Sequence, residues 1–124
     1  ARFLLKGEPF HFSLSYALHS LQKIYKQMPA HQQELEWSIR PDQPWIGTGT
    51  GYVVDSLRSA FMILKQTSCY EEAVKYAILL GNDTDTTACI TGGLAGILYG
   101  YSNIPKRWIA TLKGKSEIEH LLYQ

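Results

Sequence analysis

The chain has 124 residues, 45% hydrophobic and 19% charged, and its 12 Lys and Arg against 11 Asp and Glu leave a net charge of +1. That is enough apolar material for one domain with a core. It excludes a disordered chain, a strongly basic nucleic-acid binder and an acidic tail. No apolar run reaches the roughly 20 residues that span a bilayer. The opening Ala-Arg-Phe-Leu-Leu-Lys-Gly has no initiator Met and no apolar stretch of a secretory signal, so the chain is expected to begin inside a longer gene product. Cys69 and Cys89 stand in no metal-type spacing. The expectation is a reduced, cytoplasmic protein with both thiols packed as small hydrophobes.

Five stretches carry a helical apolar period, and none alternates as a strand does. From Phe10 to Met28, Leu14, Leu18, Leu21, Tyr25 and Met28 recur at three- and four-residue steps, and Pro29 stops the run. A short helix is expected to follow through Gln33, Glu34 and Trp37. The connector from Arg40 to Gly51, with Pro41, Pro44 and alternating Gly47, Gly49 and Gly51, forbids a regular element. Tyr52 to Lys65 is helical again, with Val54, Leu57, Phe61 and Leu64 on one side. Ser68 and Glu71 match a capping box for a helix that ends at Gly81.

Beyond the polar loop Asn82–Thr87 a helix runs from Ala88 to Tyr99, with Gly92, Gly93, Ala95 and Gly96. Glycine costs roughly 1 kcal/mol relative to alanine in a helix, so this helix is expected at the buried centre, where another backbone approaches closely. Pro105 suits the first turn of a helix through Trp108 and Leu112, and Ser116 and Glu119 form a second capping box for a terminal helix. The fold class is all-α: a helical bundle spanning residues 1–124 as one domain or fragment.

Asp83, Asp85 and Thr86 are the residues that point to chemistry. Two carboxylates at i and i+2, then a hydroxyl, precede a helix N-terminus with no Lys or Arg in the loop. Hard oxygen donors suit Mg²⁺, Mn²⁺ or Ca²⁺, while a helix N-terminus also favours an Asp simply as its cap; the loop by itself leaves both readings open. An EF-hand is excluded, because Ala88 and Leu94 fill the positions that need Gly and Glu. The Asp-x-Asp-x-Thr spacing of Asp83, Asp85 and Thr87 also matches haloacid-dehalogenase-like phosphatases, but that motif needs a buried parallel strand before it and here a helical pattern precedes.

The longer segment Leu80-Gly-Asn-Asp-Thr-Asp-Thr-Thr-Ala-Cys-Ile-Thr-Gly-Gly-Leu-Ala-Gly-Ile-Leu-Tyr-Gly100 closely resembles the C-terminal signature of the ADP-ribosylglycohydrolase family, which includes dinitrogenase reductase-activating glycohydrolases. Gly49-Thr-Gly-Tyr-Val-Val-Asp-Ser-Leu57, Glu71-Glu-Ala73 and Ile104-Pro-Lys-Arg-Trp108 resemble further blocks, so the likeness covers residues 47–112. The resemblance implies the C-terminal part of an all-α hydrolase with a binuclear Mg²⁺ or Mn²⁺ centre. Such an enzyme cleaves ADP-ribose from modified protein side chains or related linkages. It implies Asp83, Asp85 and Thr86 as metal ligands, Asp83 and Asp85 as the catalytic carboxylates, and Asp85 as the bridging one. Gly49, Thr50, Gly51 and Tyr52 are implied to bind the substrate, with Asp55 next in that queue; a plain connector is the alternative for the glycine loop, and capping and packing for Tyr52 and Asp55.

Two features depart from the family pattern. Asn82 stands where a second glycine is usual, and Asn tolerates a left-handed backbone. No Thr-Asp-Asp or Ser-Asp-Asp occurs, so the family's N-terminal ligands are absent. The expectation is therefore part of a site, inactive alone, completed by a missing N-terminal half or by self-association. A non-catalytic module that binds ADP-ribose-like ligands or a partner protein is the alternative, and a purely structural bundle is the third reading. Neither membrane nor nucleic acid is indicated as a partner. His11, His19, His31 and His120 fit no ligand spacing. Trp37, Trp45 and Trp108 are expected as core anchors, and Lys106 and Arg107 as a solvated helix start.

Overall fold

The computed structural model describes residues 1–122. Its helices are α1 (Phe10–Tyr25), α2 (Pro29–Glu34), α3 (Val53–Gln66), α4 (Tyr70–Leu79), α5 (Thr84–Tyr99), α6 (Lys106–Thr111) and α7 (Lys115–Leu122); among the described residues there is no strand. The all-α expectation holds. The core is built where α5 lies across α3 and α4. Ile63, Leu64, Ala73, Ala77 and Ala95 are buried there together with Trp45 from the connector. None of the described helices is long and apolar enough to cross a membrane.

Boundaries move for identifiable reasons. α1 already ends at Tyr25, and Pro29 does not stop it but opens α2, where a missing N–H is harmless. Leu14, Leu18, Leu21 and Tyr25 do share a face. With Trp45 and Phe61 they line an apolar cavity of about 490 Å³. Trp37 lies in the π-helical turn Leu35–Ile39 and is exposed, so it anchors no core; Trp45 does, edge-on to Phe61 at 4.8 Å. Trp108 packs against Tyr70 at 6.2 Å.

The Ser68–Glu71 box is shifted by one residue. Cys69 caps α4, which makes Glu72 the third helical residue, and it is Glu72 that accepts from both the Ser68 N–H and hydroxyl. Glu71, freed from that role, pairs with Lys75 and with Arg107, whose guanidinium also lies over Trp108. These cations hold the Glu71 carboxyl below its ordinary value, the Lys75 hydrogen bond first. The second box does not form: α7 opens at Lys115, Ser116 lies inside it and donates to Glu117, and Glu119 pairs with Lys115.

α5 begins at Thr84, four residues earlier than its apolar pattern, because Asp83 caps it by accepting from the Thr86 N–H at 3.3 Å. Its buried stripe is Thr87, Thr91 and Ala95, at four-residue steps, rather than the glycines. Of these only Gly92 is crowded, since a Cβ there would lie 3.3 Å from Tyr70 Oη, whereas Gly93 faces open space. Burial without a hydrogen-bond partner at the Thr87 and Thr91 hydroxyls accompanies this packing. Cys69 and Cys89 are free and exposed, correcting the expectation of packed thiols.

A candidate metal and ADP-ribose site

The N-terminal half of α3 presents a row of polar side chains, and each grips the connector. Arg58 is 4% exposed, and its guanidinium donates to the carbonyls of Ile46 at 3.1 Å, Ile39 at 2.5 Å, Arg40 at 3.2 Å and Pro44 at 2.5 Å. Its flat face lies 5.2 Å from the Trp45 ring. Ser56 donates to the Thr50 carbonyl at 2.8 Å, and Ser59 accepts from the Gly49 N–H at 3.1 Å. Backbone groups that no regular element satisfies thus find their partners on a neighbouring helix. Residues 40–51 are irregular and yet fixed.

This fixed connector meets the acidic loop directly. The Asp83 N–H donates to the Gly49 carbonyl at 2.9 Å, and Asn82 Nδ2 donates to the Thr48 carbonyl at 3.0 Å. Gly81 and Asn82 take φ values of 73° and 56°, so Asn stands in for the second glycine in the left-handed region as expected. Gly49 has φ 77° and abuts Leu80, where a Cβ would come within 2.8 Å of Leu80 Cβ.

Gly51 leaves room for the Asp83 carboxylate, since a Cβ on it would lie 2.2 Å from Oδ2. The fold therefore brings together Gly49, Thr50, Gly51 and Asp83, with Asp85 and Thr86 in the first turn behind the cap. Tyr52 caps α3 with no side-chain hydrogen bond, and it is exposed beside Gly51.

Asp83 and Asp85 stand two residues apart at the start of α5, Asp83 as its cap and Asp85 in its first turn. The neighbouring Asp85 carboxyl first, then the Thr86 hydroxyl and N–H, holds the Asp83 carboxyl below its ordinary value. Two carboxyl groups that close repel when both are ionised, and either a proton or a cation between them relieves the repulsion. The donor chemistry thus fits one side of a hard-cation site. It does not amount to a complete one, because each such cation takes about six oxygens. Among the described residues, no group of three or more His, Cys, Asp or Glu is placed to hold a metal ion.

Sequence reasoning missed Arg58 altogether and ranked Asp55 as a secondary ligand candidate. Asp55 is instead spent within the protein. Burial pushes its carboxyl up, but hydrogen bonds from Thr48 and Thr50 outweigh this, and it lies below its ordinary value. A polar row on an otherwise apolar helix was the available signal. It is ambiguous, because such a row more often faces water.

Two of the three close-approach glycines, Gly47 and Gly51, separate stability from chemistry. In Gly47→Ala the new Cβ would lie 2.4 Å from Ser59 N and 2.6 Å from Ser59 Cα, which are backbone atoms that cannot swing aside. Roughly 2–3 kcal/mol of stability is expected to be lost, read by urea unfolding. In Gly51→Ala the clash is with a side-chain end, so no more than the cap that Asp83 gives α5 is at stake, about 0.5–2 kcal/mol, while Asp83 is pushed from its place. If this loop holds a cation, Mn²⁺ affinity, read by calorimetry, is expected to fall by about tenfold.

The ADP-ribosylglycohydrolase family model matches residues 3–123, well beyond the segment 47–112 that carries the motifs. An ADP-ribosylarginine hydrolase Tri1 of Serratia proteamaculans is 43% identical over 75 residues, covering 60% of this chain and 20% of that protein. An ADP-ribosyl-[dinitrogen reductase] glycohydrolase of Rhodospirillum rubrum is 31% identical over 77 residues, covering 62% and 26%. The human ADP-ribosylhydrolase ARH3 is 38% identical over 63 residues, covering 51% and 16%. The chain thus matches about a quarter or less of the length of these curated relatives. No solved structure matches it significantly.

Proposed function

The chain belongs to the ADP-ribosylglycohydrolase family, and from that premise we propose that it supplies one side of a divalent-metal-dependent site that hydrolyses ADP-ribosyl linkages on modified protein side chains or related substrates. The observation that carries this reading is the placement of Asp83 and Asp85 together at the start of α5, in a loop tied to the glycine connector. Asp83, Asp85 and Thr86 would hold Mg²⁺ or Mn²⁺. When bound, two such ions polarise the ribosyl centre and lower the pKa of a water molecule. The protein's own groups have separate tasks. Asp83 and Asp85 provide negative charge, Gly51 leaves space beside Asp83, and exposed Tyr52 offers a face for a ring of the substrate.

Three side chains donate too few oxygens for two cations, so the 124 residues by themselves are proposed to be inactive. The exposed apolar residues Ile46, Tyr52, Val53 and Leu79 adjoin the site segments in sequence. They fit a further part of the site docking here, whether another segment or a second copy.

The test is a calorimetric titration of ADP-ribose in Mn²⁺ and in chelator, with an assay on ADP-ribosylated arginine, the linkage named for the Serratia relative. At least tenfold tighter ADP-ribose binding in Mn²⁺ is expected, without turnover by the 124 residues alone. Equal affinity in chelator would overturn the metal reading and favour a binding module. Turnover by the isolated chain would overturn its incompleteness.

A further inference from the structure

Asp55 is the third residue of α3, and a carboxylate there ordinarily reaches back to the N–H of the capping residue. This one passes Tyr52 by. It accepts from the Thr48 N–H at 3.0 Å, the Thr48 hydroxyl at 3.3 Å, the Thr50 N–H at 2.7 Å and the Thr50 hydroxyl at 2.9 Å. Two N–H and two O–H donors converge on an acceptor-only group. An amide of the same shape cannot serve them all, because its nitrogen is itself a donor. The carboxylate therefore fixes one turn, Thr48 to Thr50.

That turn is also the one from which the acidic loop hangs. The Thr48 carbonyl takes the Asn82 side chain, the Gly49 carbonyl takes the Asp83 N–H, and the next residue, Gly51, abuts the Asp83 carboxylate. We propose that Asp55 is a positioning residue for this site: through Thr48, Gly49 and Gly51 it sets where the Asp83 and Asp85 carboxylates stand. Its effect on metal rests on the metal reading above, while its effect on the loop does not.

The experiment compares wild type, Asp55→Asn and Ile63→Val by calorimetry with Mn²⁺ and by amide hydrogen exchange. Ile63 is a fully buried core residue, so Ile63→Val loses stability without touching the turn. Asp55→Asn is expected to weaken Mn²⁺ binding at least about tenfold, as loss of an outer partner does. It should also speed exchange at the Thr48, Thr50 and Asp83 amides at least about tenfold, leaving the Ala77 and Ala95 amides as they were. Ile63→Val should keep the wild-type Mn²⁺ affinity. Wild-type protection of the Asp83 amide in Asp55→Asn overturns the proposal, and so does wild-type Mn²⁺ affinity in that variant. If the wild type itself takes up no Mn²⁺, the metal reading falls and the exchange arm alone decides whether Asp55 sets the loop.

Discussion

Arg58→Met is expected to remove about 3–5 kcal/mol of stability, the cost of breaking a buried charged network from one side. Methionine fills much of the arginine volume, so the loss is chiefly electrostatic. The carbonyls of Ile39, Arg40, Pro44 and Ile46 lose their donor at once. These bonds are part-buried, so each carbonyl left bare costs up to about 1–3 kcal/mol, less where the connector can loosen to admit water. Arg58→Lys should recover little, because a compact ammonium cannot span carbonyls that the planar fork reaches together.

Burial draws the Arg58 pKa down, Arg40 adds to this, and Asp55 opposes it. The side chain nevertheless stays charged at every pH at which the protein folds. Thermal unfolding reads the result directly. A fall in Tm of roughly 10–20 °C is expected for a chain of this size. A shift under about 2 °C would mean that the connector satisfies its carbonyls without Arg58.

The second large effect is on metal. Asp85→Asn and Asp83→Asn each keep the shape of the side chain. Asn caps a helix as well as Asp does, so the Thr86 N–H keeps its acceptor in Asp83→Asn. Removing a negative charge from the first turn of α5 costs only about 0.3–1 kcal/mol. If the loop were merely a helix cap, both variants would be nearly silent.

The metal reading expects the contrary. Each variant should weaken Mn²⁺ binding by more than the roughly 10–100-fold that follows loss of an outer partner, and should abolish hydrolysis in any protein that contains the rest of the site. Calorimetry and unfolding of the same samples separate the two readings. An Asp85→Asn protein that binds Mn²⁺ as the wild type does would leave Asp85 as a cap residue.

Much of this protein is determined by local chemistry that the sequence displays. Helical periods around Leu14, Leu57 and Ala77 require helices whatever surrounds them, because only that spacing gathers the apolar side chains on one face. Pro41, Pro44 and the alternating glycines forbid a helix between them by sterics alone. The acidic loop was legible for the same reason. Asp83, Asp85 and Thr86 are close in sequence, so the loop stands out as a candidate. By itself it leaves a helix cap and a cation site both open, and only the longer resemblance points to the second.

What the tertiary structure decided are the distant partnerships. Cys69 rather than Ser68 caps α4, so Glu72 takes the capping role and Glu71 turns to Lys75 and Arg107. Asp83 draws the start of α5 back to Thr84. Arg58 and Asp55 turn inward because residues 40–51, barred from a helix or sheet of their own, must find hydrogen-bond partners elsewhere, and α3 is the surface they cover. A periodic pattern records which side of a helix is apolar. It does not record which carbonyl, eighteen residues away, will need a donor.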